Sequence, residues 1–274
     1  MSAEREPRMN ETPEPILAVR DLQKTFGSLV AARDITVSVP PEQTVGVIGA
    51  NGAGKTTFIN MITGHLTPSQ GIILFEGKDI TGKPAREIVR LGISRSFQVA
   101  QIFPSLTVFD NMCMAAAIAH GSGGVWQNVA TPLHSEAAVT EAEATIELFQ
   151  IGRYRDTAAS TLPQGVRKLL DIGMAVVGWP RLLLLDEPTS GISIEEKFDL
   201  MNVVMSALKK RKITVLFVEH DMEIVGRFAD RVLAFYDGTV IADGTPDQTL
   251  DDPKVQELIS GVRLTPKRGT AAHA

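Results

Sequence analysis

The sequence predicts an α/β fold: a parallel sheet whose strands alternate with helices, with a helical subdomain inserted into the core. Three observations predict it. Short apolar runs of strand length recur at Thr44-Val45-Gly46-Val47-Ile48, at 181–185, at 214–218 and at 232–235. They are continuous rather than alternating, as strands covered on both faces are. Segments with helical character fall between them, 194–210 among them. From about residue 105 to 178 the strand-like runs stop and helical segments follow one another.

Taken in order, residues 1–14 mix charges with prolines and read as a weakly ordered tail. Residues 16–20 and 35–39 read as two strands joined by a turn near Phe26-Gly27-Ser28. The run 44–48 is stopped by Gly49, a helix is expected from Gly54 to about Thr63, and 71–75 reads as a strand. In the helical block, 108–120 is a helix broken by Gly121-Ser122-Gly123-Gly124. A second helix covers 135–150, with Ser135 as its cap, and a third runs from 165 to 177. The folded unit is expected over 15–262, with its core at 15–100 and 179–262 and the helical subdomain at 101–178. A second tail is expected at 263–274.

Composition narrows the function. Hydrophobic residues make up 44% of the 274, enough for a substantial core, and the formal net charge is −5. That balance argues against a nucleic-acid partner. The N-terminal stretch lacks the apolar segment of a secretory signal. No apolar run approaches the ~18 residues of a membrane span, so any membrane connection is expected to run through a partner. The single cysteine, Cys113, rules out an intrachain disulfide and is expected as a small buried hydrophobe in a chain suited to a reducing compartment.

Four stretches carry chemistry. Gly49-Ala50-Asn51-Gly52-Ala53-Gly54-Lys55-Thr56 fits the phosphate-loop pattern G-x-x-x-x-G-K-[ST] between an expected strand and helix. Its glycines let backbone N–H groups wrap an anion, and the helix N-terminus adds positive potential. Lys55 is expected to reach the β- and γ-phosphates and the Thr56 hydroxyl to ligate Mg²⁺. The four leucines before Asp186-Glu187 form a buried strand with two carboxylates at the end where open parallel sheets bind ligands. Asp186 is expected to hold Mg²⁺ through water and Glu187 to position and deprotonate an attacking water. His220, after the apolar run 214–218, is a candidate γ-phosphate contact. Gln98, in Ser96-Phe97-Gln98, carries little meaning alone.

In this order the pieces resemble the ABC (ATP-binding cassette) ATPases over about residues 15–262. The resemblance implies a P-loop NTPase: a RecA-like core sheet, an N-terminal antiparallel β subdomain and an inserted α-helical subdomain. It implies ATP and Mg²⁺ as cofactors. The phosphate-loop residues Gly49, Asn51, Gly52, Ala53, Gly54, Lys55, Thr56 and Thr57 would bind nucleotide, with Phe26 stacking on adenine. Asp186, Thr56 and Gln98 would serve the metal, and Glu187, His220, Gln98 and Lys55 catalysis. The stretch Leu162-Pro163-Gln164-Gly165-Val166-Arg167-Lys168 stands where the family's signature belongs, so Gln164 and Gly165 would contact the nucleotide of a second cassette. Here Pro163 replaces the usual Ser and Val166 the usual Gln, and Ser193 replaces the Asp of the loop 190–193.

A narrower resemblance is to ATP-binding subunits of branched-chain amino acid uptake systems. It rests on the stretches 92–98, 103–111, 218–222, 241–246, 252–255 and 258–261. It implies an importer subunit on the cytoplasmic face of the inner membrane, working with a second cassette (homodimer or heterodimer), permease subunits and, indirectly, a periplasmic solute-binding protein. Phe97, Phe103, Leu106 and Phe109 are the apolar candidates for a permease groove. The alternatives are the ATPase of a lipid or lipopolysaccharide exporter and a soluble ABC ATPase without a permease. The second is disfavoured by the single cassette, the lack of a heptad array and the acidic balance.

Overall fold

Leu182-Leu183-Leu184-Leu185 shows why the central strands lack alternation. Leu182 and Leu184 pack into one hydrophobic cluster, with Val45, Val47, Phe58, Leu216 and Phe235. Leu183 and Leu185 pack into another on the opposite face, with Ile48, Val215 and Phe217. A strand covered on both sides needs apolar residues at every position. The computed structural model describes residues 14–96, 102–120 and 134–259. The expected break at 121–124, Gln98, Phe97 and most of both expected tails lie outside the described residues.

Two sheets form the core. The first is antiparallel, in the order β2-β1-β4-β5: β1 (Leu17–Phe26), β2 (Leu29–Val39), β4 (Gln70–Phe75) and β5 (Lys78–Asp79). The strands β1 and β2 are longer than expected and meet at a tight turn. Their outer ends, such as Gln23 to Phe26, are half-buried or exposed and carry no apolar alternation. The second sheet comprises β3 (Thr44–Gly49), β6 (Ile93–Ser96), β7 (Leu182–Asp186), β8 (Thr214–Val218), β9 (Arg231–Tyr236) and β10 (Thr239–Gly244). Its order is β10-β9-β3-β8-β7-β6, parallel except for the edge hairpin of β9 and β10. Helices α1 (Lys55–Ile62), α2 (Ala85–Arg90), α6 (Ile194–Lys210), α7 (Met222–Phe228), α8 (Pro246–Leu250) and α9 (Pro253–Leu258) complete this part.

The helices α3 (Val108–His120), α4 (Glu136–Leu148) and α5 (Gln164–Val176) pack on one another through Met112, Ala142, Ile146 and Leu170. Ser135 caps α4, its side chain accepting from the Ala138 N–H. Cys113 is fully buried. Arg211, just after α6, ties this block to the core: it donates to Glu141 of α4 at 2.8 Å and stacks at 3.8 Å over the Trp179 ring.

The register of the large sheet gathers the site. Val47 of β3 pairs with Val218 of β8, and Val218 with Asp186 of β7. The parallel strands therefore end level, delivering the loops after 49, 186 and 218 to one edge.

Candidate nucleotide site

The phosphate loop springs from β3, beside β8 and β9. A side chain at Gly49 would place its Cβ 2.5 Å from the Phe235 carbonyl oxygen. At Gly54, where φ is +99°, it would lie 2.7 Å from the Ala31 carbonyl oxygen. Both obstacles are backbone, so these glycines are required by close approach. Gly54 also precedes α1 without a side-chain cap, leaving the first-turn N–H groups facing the loop. Lys55 is 5% exposed, and its ammonium donates to the Gly49 and Ala50 carbonyls at 2.6 and 3.0 Å. Burial pulls its pKa below the ordinary lysine range, opposed by the charges of Glu187 and Asp186. Asn51, Gly52 and Thr56 are exposed, Thr57 is half-buried and Ala53 is buried.

Asp186 closes β7 and is 8% exposed. Its Oδ2 accepts from Arg95 of β6 at 2.6 Å, and the same guanidinium donates to Asn60 of α1 at 2.6 Å. Glu187 follows in the left-handed region (φ +47°), held by a bond from its N–H to the Val218 carbonyl at 3.0 Å. Such a conformation persists in a non-glycine residue only where the surroundings enforce it. Its Oε1 meets His220 Nε2 at 3.0 Å. Two of the expected catalytic residues, from different strands, are thus in direct contact. Glu219, with no role expected from the sequence, is 3% exposed and bonded to Thr189.

The donors at this edge fit a magnesium ion. Asp186 supplies a carboxylate and Thr56 a hydroxyl, both hard oxygens, at the same end of the sheet. Mg²⁺ takes one or two protein oxygens and completes its shell with phosphates and water.

The remaining expected residues stand apart from this constellation in different ways. Phe26 is 49% exposed, with the Lys24 ammonium 5.1 Å from its ring centre. Pro163 precedes α5 with no side-chain cap bond. Gln164 lies against Gly191, where an added Cβ would fall 2.4 Å from its Nε2, whereas a Cβ on Gly165 would meet nothing within 4 Å among the described residues. Ser193 precedes α6, also without a side-chain cap bond. Phe103 is exposed. Leu106 is half-buried, as is Phe109, which lies under Arg155 at 3.8 Å. Arg95, Asn60, Glu219 and Thr189 were not expected. The available signal was a charged residue inside or just after a strand otherwise buried, at Arg95 and Glu219.

Comparison with known proteins agrees with this arrangement. Residues 32–190 match the sequence family described as ABC transporter. The chain is 34% identical over 250 residues to the high-affinity branched-chain amino acid transport ATP-binding protein BraF of Pseudomonas aeruginosa, covering 90% of this chain and 98% of that protein. It is 33% identical over 245 residues to the corresponding protein LivG of Escherichia coli K12, covering 88% and 96%. Among solved structures, an ATP-binding cassette of an ABC transporter in its ADP conformation superposes with a TM-score of 0.79 at 33% identity, covering 89% of this chain and 98% of that one. Among the described residues no helix is long and apolar enough to cross a membrane. A phosphate loop level with a paired glutamate and histidine, in a chain that matches these relatives over about nine-tenths of its length, means that it belongs to the ABC transporter family as an ATP-binding cassette with the fold of a P-loop NTPase.

Proposed function

We propose that the chain binds ATP with Mg²⁺ and hydrolyses it in a dimer with a second cassette, driving permease subunits that import branched-chain amino acids or related small polar solutes. The observation that carries the catalytic part is the contact of Glu187 Oε1 with His220 Nε2 at the sheet edge that also carries the phosphate loop. In this reading Lys55 leaves the loop carbonyls for the β- and γ-phosphates, and the N–H groups of 49–56 hold the rest of the anion. Thr56, Gln98 and, through water, Asp186 would hold the magnesium ion, which would neutralise phosphate charge. Glu187 orients the attacking water and takes its proton, while His220 fixes the Glu187 carboxylate and reaches the γ-phosphate. Phe26, exposed and flat, offers a stacking face to adenine.

Gln164 and Gly165, on the uncapped N-terminus of α5, meet the nucleotide of the second cassette. Closure is therefore tied to bound ATP, and its free-energy difference between ATP and ADP states is the work passed to the permease. The branched-chain amino acid transport role rests on what the BraF and LivG relatives are named for, and the import direction, the periplasmic solute-binding protein and the position on the cytoplasmic face of the membrane rest on the resemblance of stretches such as 92–98 and 241–246 to uptake subunits.

The test is Glu187→Gln with Mg-ATP, followed by light scattering and phosphate release, alone and with a paralogous cassette. The expected result is retained ATP binding, an ATP-dependent dimer and loss of hydrolysis. Wild-type hydrolysis by the variant would refute the assignment, and a strict monomer under every condition would refute the dimer.

A further inference from the structure

Glu219 stands between the two loops that carry the proposed catalytic pair. It follows β8 directly and is 3% exposed. Its Oε1 accepts both the backbone N–H of Thr189 at 2.9 Å and the Thr189 hydroxyl at 2.8 Å. Its Oε2 lies 3.3 Å from the backbone N–H of His220. Thr189, itself 2% exposed, is two residues beyond Glu187, and His220 is the next residue after Glu219. One carboxylate, carried on the His220 loop, thus grips the Glu187 loop with one oxygen and the adjoining His220 backbone with the other.

Other bonds hold these loops less completely. The Glu187 N–H reaches Val218, the Ser190 N–H reaches the Glu187 carbonyl, and the Glu219 N–H reaches Val47 at 3.3 Å. These fix the strand ends and the first turn of the loop. The bonds to Glu219 add a side-chain tie from the far side of the turn, where Glu187 must be held in a left-handed conformation. Burying a carboxylate is costly unless it is well bonded, and burial pushes the Glu219 carboxyl above the usual carboxylate range. An apolar residue would fill the same space without that cost. What it could not do is accept three hydrogen bonds from two loops at once.

We propose that Glu219 is a positioning residue for ATP hydrolysis: its carboxylate clamps loop 187–190 to His220 so that Glu187 Oε1 and His220 Nε2 stay in contact. This rests on the roles proposed above for Glu187 and His220. Glutamine is nearly the same shape but has one acceptor oxygen. If that oxygen serves Thr189, the amide NH₂ faces the His220 N–H. If it serves His220, the NH₂ faces the Thr189 N–H. In the first case the local bond that orients the His220 backbone is lost, and in the second the tie between the two loops is lost. The cost falls on reaction geometry rather than on residues 49–56, to which Glu219 makes no hydrogen bond among the described residues.

The experiment uses the full chain, with a second cassette where hydrolysis requires one, and compares wild type with E219Q, T189V and T189S. Melting temperature, affinity for a fluorescent ATP analogue, KM and kcat are measured for each, with E187Q as control. Expected for E219Q is a kcat about 10–100-fold lower, the size of effect that ångström-scale misplacement produces, with nucleotide affinity and KM little changed. T189V should lose rate in the same direction, and T189S, which keeps the hydroxyl, should recover most of it. A folded E219Q with wild-type kcat overturns the clamp, as does a parallel loss of affinity and rate. If E219Q fails to fold, equal rates for T189V and T189S overturn it, and a T189S-specific recovery supports it. Wild-type hydrolysis by E187Q would bring down the assignment of Glu187 and the clamp with it. An inactive E187Q beside a fully active E219Q would remove the clamp alone.

Discussion

Replacing Arg95 by methionine isolates the electrostatics around Asp186. The two side chains are 9% and 12% exposed and meet at 2.6 Å, so solvent screens them little. Methionine keeps much of the arginine stem's packing but leaves the Asp186 carboxylate without that cation. Breaking a buried pair from one side costs about 3–5 kcal/mol. For a chain of this size that corresponds to a fall of roughly 6–15 °C in melting temperature. Asp186→Asn removes the neutralising charge beside the guanidinium, which keeps its bond to Asn60, and should cost a similar amount. The double variant should cost less than the sum by at least about 1 kcal/mol, the signature of groups in contact. Nucleotide provides the second axis. If Asp186 has the metal-binding role proposed for it, magnesium brought with ATP restores a cation there, so Mg-ATP should raise the melting temperature of R95M more than that of wild type, whereas ATP with EDTA should not. Urea or thermal unfolding of the four proteins, with and without Mg-ATP, is sufficient. An R95M variant within about 1 kcal/mol of wild type, or a strictly additive cycle, would refute the argument that a buried ion pair holds Asp186 in the free protein.

Three further outcomes follow from particular residues. Gly54→Ala adds a Cβ 2.7 Å from a carbonyl oxygen at φ +99°. The combined strain and overpacking, at least about 2 kcal/mol, should weaken nucleotide binding about 30-fold or more by fluorescence titration. Cys113 is fully buried and its thiol is pushed up to about 11, chiefly by desolvation. An aromatic disulfide reagent at pH 8 should leave it unmodified in the native protein and titrate one thiol in guanidinium. The raised carboxyl of Glu219 fixes the sign of a pH effect. Between the unfolded value of 4.5 and the higher folded value, the folded chain holds a proton that the unfolded chain has lost. This group's contribution is therefore fully present below 4.5 and declines as pH rises through the folded value. E219Q does not titrate there, so its stability relative to wild type should improve between pH 4.5 and pH 8 in urea unfolding. A difference independent of pH would refute that sign.

What could be read from the sequence follows from how local each signal is. The runs ending at Gly49, Asp186 and Val218 are legible because burial on both faces demands unbroken apolar residues. The phosphate loop is legible because its glycines answer local backbone demands. The strand β10 was missed because none of its residues is fully buried and it carries Asp243, so neither period is written into it. The short helices α2, α7, α8 and α9 end within two turns, too few for a 3.6-residue period to repeat. Arg95 and Glu219 were missed for another reason. Their partners, Asp186 and Thr189, lie 91 and 30 positions away and meet them only when β6, β7 and β8 align. A strand's charge can be read from sequence; the carboxylate or hydroxyl that satisfies it belongs to the sheet.

Gly165 raises the opposite question, a glycine that its own chain does not require. It lies in the first turn of α5 in ordinary helical backbone, where glycine costs about 1 kcal/mol relative to alanine. Among the described residues a Cβ there would meet nothing within 4 Å, in contrast to the backbone atoms that crowd Gly49 and Gly54. Helix propensity therefore favours alanine and packing among the described residues does not oppose it, and the space it would fill is used, in the proposed dimer, by the phosphates held on a second cassette. The two demands separate experimentally. Gly165→Ala should raise the melting temperature of the free cassette slightly, through helix propensity, and weaken the ATP-dependent dimer formed in the Glu187→Gln background. Light scattering across a concentration series measures the second effect and thermal unfolding the first. A variant that is more stable and dimerises as well as its parent would mean that the N-terminus of α5 is not where the second nucleotide sits.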